Sequence, residues 1–242
     1  RFLNVNGCLY DVRRSRMIGV SRETYLGQLS SDLSMRARAS ESGLLIVDYE
    51  SKEVRAWYPG SCSFLGWSQN SQLIAVLSAS GTVLVYAPLG PGLVASLPRP
   101  QTSVSSVRFS LDGQYVAQVA GSVLEVFRLK DMAKTFTASG VSGSVRFSYP
   151  EGTLFFASQS GLKRVDPATW QAFSCPVPLG KVFGVSPDSS RIVVVYEDYT
   201  GASVLALYDG LSYGRIAERR GNRLSNYFQP EFDPSSRLLA TG

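Results

Sequence analysis

VRFSLDGQYVAQ, from Val107 to Gln118, reads as two short strands joined by a tight turn. An apolar piece closes on an aromatic residue and a serine, Phe109-Ser110. The turn Leu111-Asp112-Gly113 follows, and an apolar strand resumes. Asp and Gly belong in such a turn: one hydrogen-bonds its own backbone, the other tolerates left-handed dihedrals. GVSPDSSRIVVV (Gly184–Val195) and PEFDPSSRLLATG (Pro230–Gly242) repeat the phrase, with turns at Pro187-Asp188-Ser189 and Pro234-Ser235-Ser236.

Moving outward, the same junction occurs at Leu29-Ser30, Trp67-Ser68, Phe109-Ser110, Phe147-Ser148 and Val185-Ser186, with Phe232-Asp233 in the equivalent place; the second residues are spaced by 38, 42, 38, 38 and 47. Seven residues beyond each stands Ala37, Ala75, Ala117 or Ala240, with Phe155 and Val193 as the exceptions. Glycines supply a second ruler: Gly7, Gly43, Gly81, Gly121, Gly161, Gly201 and Gly242, at steps of 36, 38, 40, 40, 40 and 41. Each lies in a polar turn, and Asn6-Gly7 is a strong tight-hairpin signal. All but Gly242 precede a strand: CLYDV, LLIVDY, TVLVYA, SVLEVF, LKRVD, SVLALYD. A weaker fourth strand follows in most units, such as EVRAWY from Glu53 to Tyr58. One unit is therefore four short antiparallel strands, a to d, returning about every 40 residues.

This pattern resembles the WD40-repeat proteins. The three quoted stretches look like that family's a–b hairpin. Tyr10-Asp11, Val47-Asp48, Val165-Asp166 and Tyr208-Asp209 look like degenerate forms of the Trp-Asp that closes strand c. The resemblance covers essentially the whole chain and implies an all-β propeller of four-stranded blades. It departs at one point. The sequence contains no histidine, so the family's network from His through Ser/Thr and Asp to Trp cannot form.

The repeat places a partial blade at 1–23, full blades at about 24–60, 61–98, 103–138, 141–175 and 180–220, and a second partial blade at 228–242, all in one domain. The ends read in two ways. Either they meet to build one shared blade, giving six, or the chain belongs to a longer ring of seven. The start at Arg1 and the stop in mid-blade favour the second.

The absence of histidine removes the usual general base, the commonest metal ligand and every Ser-His or Cys-His nucleophile pair. Cys8, Cys62 and Cys175 form no CxxC and no even-numbered framework, which reads as plain thiols in a reducing, cytoplasmic setting, with the nucleus as the alternative. Asp112, Asp188 and Asp233 are best explained as turn formers. Glu197-Asp198-Tyr199 offers too few oxygen ligands for a metal. No phosphate-binding glycine pattern is present, and Leu89–Gly92 is a hairpin turn. No catalytic residue, cofactor or metal is expected, and no apolar stretch approaches the roughly 20 residues that cross a bilayer.

The net charge of +5 and pI of about 9.2 permit an acidic partner or nucleic acid. Arginines are the candidate contacts. Arg13, Arg14 and Arg16 flank a c–d turn. Arg36 and Arg38 alternate along strand b and share one face, where they need acidic partners or solvent. Arg219, Arg220 and Arg223 sit in the longest connection, about ten residues, beside Tyr227 and Phe228. The plainer reading of these residues is solvated surface. The expected function is a non-enzymatic scaffold binding other proteins within a multi-subunit assembly. The alternatives are a nucleic-acid-associated propeller, and a catalytic propeller of the repeat type that Ser186-Pro187-Asp188 faintly resembles.

Overall fold

The computed structural model describes residues 2–5, 8–11, 16–20, 28–51, 53–148, 152–178, 182–186, 188–221, 231–232 and 238–239. Among these every element is a strand, and the chain divides into two compact units, Arg1–Pro100 and Gln101–Gly242. The first unit opens with a three-stranded sheet of β1 (Phe2–Val5), β2 (Cys8–Asp11) and β3 (Arg16–Val20). Blade I follows: β4 (Gln28–Leu29), β5 (Met35–Ala39), β6 (Gly43–Asp48) and β7 (Val54–Pro59). Blade II is β8 (Cys62–Trp67), β9 (Ile74–Ser78), β10 (Val83–Ala87) and β11 (Gly92–Ser96).

The second unit holds blade III, β12 (Val104–Phe109), β13 (Tyr115–Ala120), β14 (Val123–Arg128) and β15 (Lys134–Ala138). Blade IV is β16 (Val141–Phe147), β17 (Leu154–Ser158), β18 (Gly161–Val165) and β19 (Ala172–Ser174). Blade V is β20 (Val182–Val185), β21 (Arg191–Glu197), β22 (Ser203–Asp209) and β23 (Arg215–Gly221); the pair β24 (Glu231–Phe232) and β25 (Leu238–Leu239) closes the list of strands. Within each blade the strands lie in sequence order and every pairing is antiparallel, so each connection is a hairpin. Strand b is an interior strand in all five blades, and strand d is an edge.

The period-two alternation of strand b explains the position seven residues beyond the serine. Ala37 packs in one cluster with Ile74, Val76 and Tyr86 of blade II. Ala117 packs with Leu154, Phe156 and Val165 of blade IV. Phe155 packs with Ile192, Val194 and Ala206 of blade V. That position therefore faces the next blade, and its two neighbours on the strand face the previous one. All of Ala37, Ala75, Ala117, Phe155 and Val193 are buried. Where the next blade brings Tyr86 and Leu84, the position is Ala37; where it brings Ala206, a phenylalanine fills the space.

The recurring serines are the second structural device. Ser30, Ser68, Ser110, Ser148 and Ser186 are all buried. Four of them work as a pair with an acceptor two residues on. The Ser110 hydroxyl donates to Asp112 Oδ1 at 2.5 Å and accepts the Tyr115 N–H at 2.9 Å. Ser30 with Asp32, Ser68 with Asn70 and Ser186 with Asp188 do the same. The acceptor oxygen also takes a backbone N–H two residues further on, as Gln114 N–H to Asp112 at 3.0 Å. The residue three beyond the serine then adopts positive φ: Leu33 at 63°, Ser71 at 60°, Gly113 at 71° and Ser189 at 59°.

These turns also link neighbouring blades. Asp32 N–H donates to Ser71 Oγ at 3.0 Å, and Ser148 meets Ser189 through their hydroxyls at 2.5 Å. Strand c ends on a different carboxylate. Asp48 accepts the Glu50 and Ser51 N–H groups and pairs with Arg55; Asp209 accepts the Leu211 and Ser212 N–H groups and pairs with Arg191. In blades I and V the strand ends are thus held by two local carboxylate turns. Ser110→Ala should lower stability by about 1–3 kcal/mol, because it strands a buried N–H and the Asp112 oxygen together. Urea denaturation checks this, with a Ser96→Ala control at an exposed position.

Candidate functional site

Arg36 and Arg38 share the face of β5 opposite to that of Ala37. In blades II, IV and V the matching positions are Ile74 and Val76, Leu154 and Phe156, and Ile192 and Val194, all buried between blades. Blade I therefore carries a cationic pair where its sisters carry core. The two side chains solve the burial problem differently. Arg38 is exposed; Arg36 is half-buried, with its guanidinium carbon 5.2 Å from the centre of the Tyr49 ring, a cation–π distance. Their shared face agrees with the sequence reading.

The other described candidates lie elsewhere than expected. Arg219 and Arg220 do not sit in a connection: β23 runs through them to Gly221, because Leu205 and Val204 of β22 extend the ladder that far. On a strand they point to opposite sides. Arg220 stands opposite Val204, on the face that packs against blade IV. There it lies 3.6 Å from Asp198 Oδ2 and 3.4 Å from Glu218 Oε1. Arg219 stands on the reverse face and makes no ion pair among the described residues. Arg215 pairs with Glu218. Arg16 opens β3, and Arg13, Arg14, Arg223, Tyr227, Phe228 and Asp233 lie outside the described residues.

Asp198 explains why Arg220 is held. Its Oδ1 accepts the Thr200 hydroxyl and N–H and the Ala202 N–H, closing the b–c turn of blade V. These bonds, the Thr200 hydroxyl first, hold the carboxyl below its usual range. Its Oδ2 is buried with no hydrogen bond, so the guanidinium is the charge that compensates it. Tyr199 beside it is 95% exposed. Glu197 ends β21, and Asp198-Tyr199 begins the b–c turn.

β23 is the longest edge strand exposed along its whole length among the described residues. All seven of its residues, Arg215 to Gly221, face solvent, including Ile216. It is also one of the longest strands, so it presents an extended row of outer backbone groups beside three cations and one anion. The sequence reading draws the blade to about 220 but puts Arg219 and Arg220 in the connection after it, because RIAERRG lacks apolar alternation.

The remaining candidates for chemistry are used structurally. Ser186 and Asp188 bond to each other in a turn. Cys175 is buried, its thiol 3.7 Å from the Tyr213 hydroxyl, and burial raises the pKa of both Cys175 and Cys62. Among the described residues no three or more Cys, Asp or Glu side chains gather as a metal site would require, and no helix is long and apolar enough to cross a membrane.

The chain's fold is similar to solved structures. A chain in the crystal structure of the mitotic checkpoint complex superposes with TM-score 0.66 at 15% identity, covering 96% of this chain and 77% of that one. The fold is a WD40-type β-propeller. Kluyveromyces lactis Hsv2 shows the same propeller, with TM-score 0.63, 12% identity, and 88% and 69% of the two chains covered. A second Hsv2 structure gives TM-score 0.61 at 11% identity, covering 88% and 70%. No family model matches the sequence, and no curated protein does.

Proposed function

We propose that this WD40-type propeller is a non-enzymatic scaffold, a subunit of a larger cytoplasmic assembly, and that blade V's outer strand is a contact for an acidic protein partner. The observation that carries this reading is β23: an exposed edge whose Arg219 has no partner among the described residues, next to an Arg220 already committed to Asp198. Edge strands accept added strands through their backbone, and a nearby cation selects acidic sequences. The similar chain in the mitotic checkpoint complex is itself part of an assembly.

The test uses the full chain in its native extract. It is expected to fractionate far above its own 26.3 kDa, and Arg219→Glu should weaken partner binding about tenfold or more without lowering the melting temperature. Elution of the unmodified chain as a partnerless monomer would sink the scaffold reading. Full retention of the partner by the variant would remove β23 from it. The net charge of +5 favours a second reading, nucleic-acid binding. That reading requires affinity to fall steeply with salt and Arg219→Glu to flatten the slope.

A further inference from the structure

Blades I and II meet at a junction lined by Pro59, Val76, Leu84 and Tyr86, where a space of only about 60 Å³ remains. Leu84 stands opposite Val76 across the b–c ladder, and the Tyr58 and Tyr86 rings stack at 4.2 Å to close the wall. The equivalent junction of blades III and IV is built on the same plan but is open. There a cavity of about 360 Å³ lies between the d–a connection at Ala138–Gly140 and the b–c turn at Ser158–Ser160. Its residue opposite Phe156, at the ladder position of Leu84, is Lys163.

The chemistry of the two spaces differs accordingly. Phe156, almost wholly buried, forms an apolar floor with Ala138 and Ala172. Ser139, Gln159 and Ser160 line the rim and are exposed. Lys163 donates to Ser174 Oγ at 2.7 Å, which fixes its ammonium and leaves two of its three donors available. No acidic side chain lines the cavity. The walls are tied together, since Gln159 N–H donates to the Gly140 carbonyl at 3.0 Å. Ser158 is occupied in the turn itself, bonding to Gly161 O and Ser160.

We infer that the blade III–IV junction is a binding site for a small organic anion, its charged group held by Lys163 with the Ser139 hydroxyl and its carbon skeleton laid over Phe156. The volume suits a ligand of metabolite size, and a few convergent donors over an apolar floor are what such sites use. An ammonium with a hydroxyl donor on a pre-formed wall binds carboxylate or phosphate oxygens by charge-assisted hydrogen bonds.

The experiment titrates the full-length chain, labelled with nitrogen-15, with phenyl phosphate in one arm and benzoate in the other. Saturable shifts confined to the amides of Ser139, Gly140, Gln159, Ser160 and Lys163 are expected in at least one arm, and the tighter arm identifies the head group. Lys163→Leu should raise the dissociation constant about tenfold, the equivalent of one charge-assisted hydrogen bond. That variant copies the arrangement blade II already folds with, so its melting temperature should be unchanged or raised. Lys130→Met, at an exposed lysine in a c–d turn, should bind as the unmodified chain does. Non-saturating shifts spread over the surface in both arms, or a folded Lys163→Leu chain that binds as tightly as before, would overturn the assignment.

Discussion

Phe155→Ala is expected to cost about 3–5 kcal/mol, the usual range for emptying a fully buried aromatic site. Phe155 is 0% exposed and sits where blade IV meets blade V, in a cluster with Phe183, Ile192, Val194, Val204 and Ala206. The substitution is informative because alanine is the residue that Ala37 and Ala117 place at this same position. Alanine suffices there because the facing blade supplies bulk, such as Tyr86 against Ala37. Against Ala206 and Val194 it leaves a void. Thermal melting of the full chain should show the loss, and adding Ala206→Leu should recover part of it, since the two positions share one volume. A Phe155→Ala chain as stable as its parent would mean the blades slide to close the gap, and the complementarity argued for these junctions would fail.

Gly43→Ala should be a severe change for a single methyl group, because strain and contact act together. Gly43 has φ of +148°, a region that side chains of L-residues rarely enter. A Cβ there would run into the Tyr58 carbonyl oxygen across the β6–β7 ladder, with the Trp57 ring at 3.0 Å behind it. Backbone strain and overpacking each cost about 1–3 kcal/mol, so a loss of roughly 3 kcal/mol is expected. Gly161→Ala is the control: its φ is +116°, also far from the left-handed helical well, but nothing lies within 4 Å of the added methyl, so the strain remains without the contact. Denaturant midpoints for the pair separate the two contributions. Equal losses would show that the contact with Tyr58 is relieved without cost.

The two rulers found in the sequence correspond to two different physical causes. The glycine series is a backbone requirement: Gly43, Gly81, Gly121, Gly161 and Gly201 all have positive φ. The aromatic-serine series is a packing and hydrogen-bond requirement. The aromatic or branched residue ends strand a, and the buried serine nucleates the turn with an acceptor two residues away. Both causes are local in the chain, so both leave a pattern in the residues. The arginines were a harder case. Arg36 and Arg38 were legible as same-facing because a strand's period is fixed. That they replace the inter-blade core of the sister blades shows only when the clusters of those blades are compared. Arg219 and Arg220 were placed in a connection because nothing in RIAERRG distinguishes an exposed edge strand from a polar loop. Only pairing with β22 makes it a strand.

From residues 107 to 118 outward, the sequence by itself determined the blade. The unit length, the four strands and the turn between a and b all follow from local preferences repeated about every 40 residues. Tertiary structure alone decided what differs between blades. Gly210 belongs to no repeat, yet a Cβ there would strike the Ser189 carbonyl. Lys163 stands opposite an aromatic floor where Leu84 closes the earlier junction. Arg220 answers a buried oxygen of Asp198, leaving Arg219 as the outward cation. The reason is one of range: a turn or a strand is set by residues a few positions apart, whereas a cavity, a clash or a charge pair is set by residues from separate strands that only packing brings together.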